Sequence, residues 1–345
     1  MSKLAIAQPR PSATAVLKIG RVSFVVPVVI AAAGERASKR FIEFFTATIR
    51  NKNTRLAYAR ACAAFLAWCE EHGLAFDDIE SISVSAYIEQ LLADGMAKPS
   101  VKQHLAAIRM MLDYMVTGGL LPYNPAAAVR GPKYVIKKGK TPVLKPDEAR
   151  LLLDSIRTVK TMKRRDGTEI EKPDLVGLRD RALLGVMVFS FGRVSAVVGM
   201  DVDDYYQQGK RWWLRLHEKG GKHHEVPVHH KAETYLDEYI AAAGIKNAKR
   251  TPLWRSMTKE RAIGDGRMTR IDVYRMIKRR CRQAELGAAA NCHTFRATGI
   301  TAYLLNGGSL ENAQAIAAHE SPRTTKLYDR TADEITLDEI EKIGI

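Results

Sequence analysis

Apolar residues recur at helical spacing over most of this chain and alternate at strand spacing in only one region. From residue 34 onward the pattern is helical. In "NTRLAYARACAAFLAWCEEHG" Leu56, Ala59, Ala63, Leu66 and Cys69 form one stripe, with Gly73 as the stop. In "SVKQHLAAIRMMLDYMVTGG" the stripe is Val101, Leu105, Ile108, Leu112 and Met115, with Ser100 as N-cap and Gly118 as the stop. Helices near 34–50 and 83–94 complete a four-helix domain over 34–130, within the usual domain size. Residues 1–33 have little helical periodicity and are expected to form an N-terminal tail or arm. Their apolar run "VSFVVPVVIAAAG" reads as an extended arm or a packing segment. It is too short to span a bilayer, carries Pro27, and lacks the charge order of a secretory signal.

The stretch "NPAAAVRGPKYVIKKGKTPVLKP" has four prolines, two glycines and repeated lysines, the composition of a linker. A basic linker is placed over 131–144 and a second domain over 145–331. That domain opens with helices in "DEARLLLDSIR" and "LVGLRDRALLGVMVFSFG". Between them "KRRDGTEIEKP" carries an Asp-Gly turn and reads as a surface hairpin. "RWWLRLHEKGGKHHEVPVHH" gives two strand-like runs around Gly-Gly, and helices return from Ile271. Strands confined to one part of a helical chain predict a mainly α protein with a small β-sheet, of the α+β class.

Charge changes the picture more than composition does. The 345 residues carry 54 Lys plus Arg against 38 Asp plus Glu, a formal net charge of +16. Such a surplus favours a polyanion, and nucleic acid is the commonest. A membrane surface is the rival partner, but no basic amphipathic anchor stands out, so none is expected. Arg55, Lys102 and Arg109, on exposed faces of the front helices, and Lys222 are candidate DNA contacts. Basic helix faces are common, so these residues say little alone. Cys62, Cys69, Cys281 and Cys292 have no zinc-like spacing and read as buried free thiols of a cytoplasmic protein.

Several residues could carry chemistry. Arg193 follows a glycine break between two apolar helices, where a half-buried guanidinium needs an anion. Lys219 and Lys222 sit at the tip of the Gly-Gly hairpin. His293 and Arg296, three apart, share a helix face, with Asn291 as that helix's cap. His319 ends the helix that Ser309 caps. Ser321-Pro322 starts another helix, bearing Arg323, Lys326 and Tyr328. Each feature alone has an ordinary structural explanation.

Their order does not. Arg, a hairpin Lys, His-x-x-Arg, His, then Tyr nine residues later resembles the tyrosine recombinase or phage integrase family, over about residues 34–330. The strongest stretch is "HTFRATGITAYLLNGGSLENAQAIAAHESPRTTKLYDR". The resemblance implies a helical core-binding domain and a catalytic domain that clamp duplex DNA. It implies a site-specific recombinase that works through a 3′-phosphotyrosine without metal, ATP or other cofactor. Tyr328 would be the nucleophile, Arg193 and Arg296 the phosphate forks, and Lys219 the leaving-group proton donor, with Lys222 able to exchange that role. His293 would be the general acid/base and His319 a phosphate hydrogen-bond donor. The implied partners are double-stranded DNA with specific recombination sites, further copies of the chain in a tetramer on paired sites, and accessory DNA-bending proteins. A topoisomerase-like strand passer and a catalytically silent DNA-binding protein of the same fold are the alternatives.

The chain departs from the family pattern at Ala196, three residues after Arg193, where an acid is usual. Asp201 or Asp203 is the expected substitute. "HHEVPVHH" is a poor metal site, because adjacent histidines on a strand point to opposite faces. At most half of His223, His224, His229 and His230 could converge near Glu225. In the tail, 332–345, Ile335, Ile340 and Ile343 form a helix-like stripe that folds onto its own domain or docks on a neighbouring subunit.

Overall fold

The computed structural model describes residues 14–19, 22–135, 139, 141–218, 223–258, 262–287, 290–329 and 341. The chain divides into two compact units, Met1–Val135 and Ile136–Ile345. It is mainly helical with small antiparallel sheets. Among the described residues no helix is long and apolar enough to cross a membrane.

The first unit opens with a hairpin of β1 (Thr14–Ile19) and β2 (Val22–Pro27) and continues through α1 (Val28–Ala32), α2 (Glu35–Glu43) and a π-helical turn (Phe44–Thr48). The long helices α3 (Lys52–Glu71) and α5 (Lys98–Thr117) pack on each other, with α4 (Ser81–Ala93) alongside. Val26, Val29 and Ile30 are buried in this core, so the end of the expected tail packs rather than trails. The α5 stripe is buried as expected. That helix begins at Lys98, before Ser100, because Pro99 suits a first helical turn. The buried face of α3 runs instead through Cys62, Phe65, Leu66 and Cys69. Leu56, in its first turn, is exposed beside Val25 and Phe45. Asn51 caps α3 by accepting from the amides of Asn53 and Thr54.

In the second unit α6 (Pro146–Asp154) leads to the hairpin β3 (Val159–Lys163) and β4 (Glu169–Pro173), turned at Gly167 with φ +85°. Then come α7 (Leu175–Phe189) and α8 (Val194–Gly199), followed by the antiparallel meander β5 (Tyr205–Gln208), β6 (Arg211–His217) and β7 (His223–Pro227). Helix α9 (His230–Ala243), strands β8 (Arg255–Met257) and β9 (Ile263–Arg267), and helices α10 (Arg270–Gln283), α11 (Cys292–Leu305), α12 (Leu310–Ile316) and α13 (Pro322–Lys326) follow.

Helix α7 is the axle, packed against both α9 and α11. It crosses α11 at Gly299, where an added methyl would run into the Val188 carbonyl and come within 2.8 Å of the Phe191 ring. Gly299→Ala must push the two helices apart. It should destabilise the protein by about 1–3 kcal/mol, as overpacking does, read as a lowered unfolding midpoint in urea. All four cysteines are free thiols. Burial pushes the Cys62 thiol up, and takes that of Cys69 to about 12.

Candidate active site

Helix α7 ends in a tight corner. Ser190 Oγ donates to the Val186 carbonyl (2.6 Å) and accepts from the Gly192 amide (3.2 Å), and Phe191 adopts a left-handed φ of +53°. A non-glycine residue in that conformation is strained and persists only where its surroundings hold it. The corner delivers Arg193 at the N-terminus of α8, half-buried. Its Nη1 donates to Glu218 Oε2 at 2.6 Å, and the Glu218 side chain is buried.

The expected substitutes for the missing acid at Ala196 do not hold Arg193. Asp201 pairs with Arg267 (2.5 Å), and Asp203 accepts from the Arg250 amide (3.0 Å). Ala196 itself is buried in the core, leaving Arg193 to find its carboxylate on the β6–β7 connection. Sequence reasoning missed Glu218. Its one legible signal is an acid at a strand end otherwise crowded with cations.

Asn291 caps α11 by accepting from the His293 amide (2.8 Å), while its own amide donates to Thr294 Oγ1 (3.0 Å). His293 and Arg296 then lie on one face. Arg296 is 1% exposed, and its guanidinium is held by two main-chain carbonyls. Nη1 donates to the Phe191 carbonyl and Nη2 to the Ala317 carbonyl (2.5 Å), and the Tyr328 hydroxyl is near enough to act on the group's charge. Burial lowers its pKa to about 10, with Arg193 nearby adding to the shift and Tyr328 and Glu218 opposing it. It stays charged at neutral pH.

Helix α12, capped by Ser309, ends in a turn where Ala318 takes a left-handed φ of +47°. His319 follows, nearly buried, with Nδ1 2.9 Å from Thr325 Oγ1. Its ring lies parallel to that of Tyr328, with centroids 5.9 Å apart. Tyr328 is half-buried against Phe191, Ile300, Leu304, Ala313 and Ala317, and its carbonyl accepts from Thr301 Oγ1 (3.0 Å). The Gly139 amide donates to the Leu327 carbonyl (3.2 Å), so linker backbone lies against the turn that carries the tyrosine.

Burial, then the charges of Arg296 and Arg193, hold both imidazoles below their usual value, His319 at about 3. Both are neutral at pH 7. Folding thus excludes protons from them. Their contribution to stability is complete above the unfolded value of 6.5 and is lost as pH falls toward the folded value. The urea midpoint of the DNA-free protein should drop between about pH 7 and pH 5, and drop less in His319→Asn.

Arg193, His293, Arg296, His319 and Tyr328 are therefore brought together. Lys219 and Lys222 lie outside the described residues, as do Ile335, Ile340 and Ile343. Two of the three front-domain cations bond main-chain carbonyls. Arg55 donates twice to the Ile49 carbonyl (3.0 and 2.7 Å). Arg109 clamps the carbonyls of Ala126 (3.1 Å) and Val129 (2.6 Å), beside the exposed Lys102. The histidines of "HHEVPVHH" are dispersed. His223 meets His217 edge-on, His224 bonds the Ile316 carbonyl (2.8 Å), and His229 stacks on Phe189 and His230.

Comparison with known proteins gives the chain's family. Residues 143–334 match the model of the phage integrase family, and residues 39–119 match the phage integrase N-terminal SAM-like domain. The chain belongs to the phage integrase family. Among curated relatives of this integrase, a tyrosine recombinase XerD of Mycobacterium leprae is 30% identical over 233 residues, 66% of this chain and 68% of the relative. A tyrosine recombinase XerC of Pseudomonas putida is 26% identical over 296 residues, 84% of this chain and 91% of the relative. The fold matches that of the XerH site-specific recombinase bound to palindromic difH substrate in a post-cleavage complex. That match has a TM-score of 0.64 at 17% identity and covers 84% of this chain and 78% of that one. It also matches a lambda integrase dimer bound to a COC′ core site, with a TM-score of 0.60 at 16% identity, covering 86% and 78%. The integrase is an enzyme of the tyrosine-type site-specific recombinase class.

Proposed function

We propose that this integrase breaks and rejoins double-stranded DNA at paired specific sites through a 3′-phosphotyrosine on Tyr328, needing neither metal nor ATP. The reading rests above all on the guanidinium of Arg296, which is buried, charged and near enough to the Tyr328 hydroxyl to act on it electrostatically. A phenol has a pKa of about 10 and is a poor nucleophile unless its anion is favoured, and adjacent cations do that. As the tyrosine oxygen attacks phosphorus, charge grows on the non-bridging oxygens. Arg193 and Arg296 receive it as paired forks.

The tyrosine proton goes to His293, whose neutral form at pH 7 leaves it able to accept. His319 Nδ1 lies 2.9 Å from Thr325 Oγ1, and in the tautomer where Nδ1 accepts from that hydroxyl the imidazole proton sits on Nε2 to hydrogen-bond the phosphate. As the bond from phosphorus to the 5′ oxygen breaks, the ammonium of Lys219 supplies the proton that makes a 5′ hydroxyl. The phosphotyrosine ester keeps the bond energy, so religation to a second strand needs no other source.

The structural neighbours include a lambda integrase tetramer bound to a Holliday junction, with a TM-score of 0.60 at 15% identity. By analogy this enzyme assembles as a tetramer on two sites in the cytoplasm, with Arg55, Lys102, Arg109 and Lys222 adding phosphate contacts and accessory proteins bending the DNA. The test is a plasmid carrying two copies of the DNA that flanks the gene, incubated with the protein in EDTA. Exchange between the sites, with labelled DNA attached to the peptide containing Tyr328, supports the reading. Relaxation without exchange would make the enzyme a strand passer. Binding with no covalent adduct would make it a silent DNA-binding protein.

A further inference from the structure

Tyr328 stands on a short element. Helix α13 has five residues, and Tyr328 follows it in a turn. A helix of that length has little cohesion of its own, and α13 packs chiefly on α12. The residues that Tyr328 works with, His293 and Arg296, lie instead on α11. A nucleophile displaced by about 1 Å loses about a hundredfold in rate. Whatever sets the tyrosine in register with α11 therefore matters to the chemistry.

Most of its contacts cannot set that register. The Tyr328 amide donates to the Thr325 carbonyl (2.9 Å), a bond within its own turn. The Thr325 hydroxyl is spent on His319 (2.9 Å), which follows α12. The neighbouring Leu327 carbonyl accepts from the Gly139 amide, on a segment that carries no catalytic residue. The ring packs on Ile300 and Leu304 of α11, but also on Phe191, Ala313 and Ala317. Apolar contact is non-directional, so a ring can slide along it.

One contact is directional and reaches the right helix. The Thr301 hydroxyl donates to the Tyr328 carbonyl at 3.0 Å. Thr301 is buried on α11, five residues beyond Arg296. A threonine in a helix ordinarily turns its hydroxyl back to the carbonyl one turn earlier. That hydroxyl has a single proton to give, and here it goes to the tyrosine. Branching at Cβ restricts the side chain to few rotamers, which makes the link a stiff strut.

We infer that Thr301 is a positioning residue, holding the nucleophile in register with the helix that carries His293 and Arg296. This rests on the recombinase reading above, in which Tyr328 attacks phosphorus. Thr301 is not asked to touch DNA or the reacting atoms, and its effect belongs to one state. Before attack, the strut narrows where the phenol can go. In the transition state and in the phosphotyrosine, the forming or formed bond to phosphorus does so instead. Losing the strut therefore weakens those two states alike. Cleavage slows, and religation does not.

The experiment measures both directions. Adduct formation is followed in single turnover on a nicked duplex that sheds a short 5′-hydroxyl strand, so that adduct accumulates. The adduct is then given a fresh 5′-hydroxyl strand and its religation timed. Thr301→Val keeps the shape of the side chain and removes the donor. It should form adduct about 10- to 100-fold more slowly. It should religate within about threefold of wild type, with gel-shift binding within about twofold. Thr301→Ser, which restores the donor without the branch, should recover most of the cleavage rate and guards against a folding defect.

Equal slowing of cleavage and religation by Thr301→Val would make the residue part of the general scaffold and overturn the inference. So would unslowed cleavage, the loss of all adduct, or no recovery with serine. A wild type that forms no adduct overturns the recombinase reading itself.

Discussion

Tyr328→Phe is expected to abolish the covalent protein–DNA adduct while leaving DNA binding within about twofold of wild type. The substitution removes one oxygen and little else. The ring would keep its packing against Phe191, Ile300 and Leu304 and its parallel arrangement over His319. The backbone would keep the bond from Thr301 to the residue-328 carbonyl, and that from Gly139 to the Leu327 carbonyl. Arg296 retains the carbonyls of Phe191 and Ala317. Stability should therefore move by no more than about 1 kcal/mol, the net worth of one hydrogen bond. The chemistry has no such reserve, because the phenol oxygen is itself the proposed nucleophile. The measurement is a denaturing gel of labelled nicked duplex after incubation with either protein. An adduct of undiminished yield in the variant would remove Tyr328 from the reaction.

Much of this site could be read before any fold was known, and the reason is local. His293 and Arg296 are fixed to one face by helical spacing, and Asn291 marks where that helix starts. Ser309 and Pro322 mark the helices that follow, so the order of His319 and Tyr328 survived translation into three dimensions. What could not be read is what the guanidinium groups touch. Arg296 is held by two main-chain carbonyls, 105 and 21 residues away in sequence, one on Phe191, itself at a positive φ, and one on Ala317, next to Ala318 at a positive φ. Main-chain oxygens leave no trace in a side-chain pattern.

Glu218 escaped for a related reason. Replacing the acid three residues after Arg193 with one on the β6–β7 connection exchanges a local contact for one 25 residues away. Helical spacing reports the former and is silent about the latter. In the first unit two of the cations read from exposed helix faces, Arg55 and Arg109, are half-buried, while Lys102 is exposed. Arg55 and Arg109 each close off backbone carbonyls at the end of a segment, a use that periodicity does not distinguish from solvent exposure. Leu56 shows the same limit for apolar residues, because the first turn of α3 reaches past the core that its later turns enter.

Arg296→Lys should be far more damaging than its conserved charge suggests, and it should fail in two measurements at once. A guanidinium is a flat fork that can serve the carbonyls of Phe191 and Ala317 together and still face the Tyr328 hydroxyl. An ammonium is a point donor on a shorter reach, and cannot bridge both carbonyls. At least one buried carbonyl would lose its partner, and the cation itself would be held in a pocket only 1% exposed. The expected cost is about 2–3 kcal/mol of stability, seen as a lower urea midpoint. Losing one preorganised donor at the developing charge costs about 10²- to 10³-fold in cleavage. The displaced turns at Phe191 and Ala318 should add to that. Arg193→Ala provides the contrast. Its side chain is 36% exposed and bonds a carboxylate rather than backbone. Its removal should abolish detectable cleavage while costing less stability than Arg296→Lys. If the two variants lost stability equally, or if Arg296→Lys cut DNA at the wild-type rate, the division between a fork that builds the site and a fork that only serves it would be wrong.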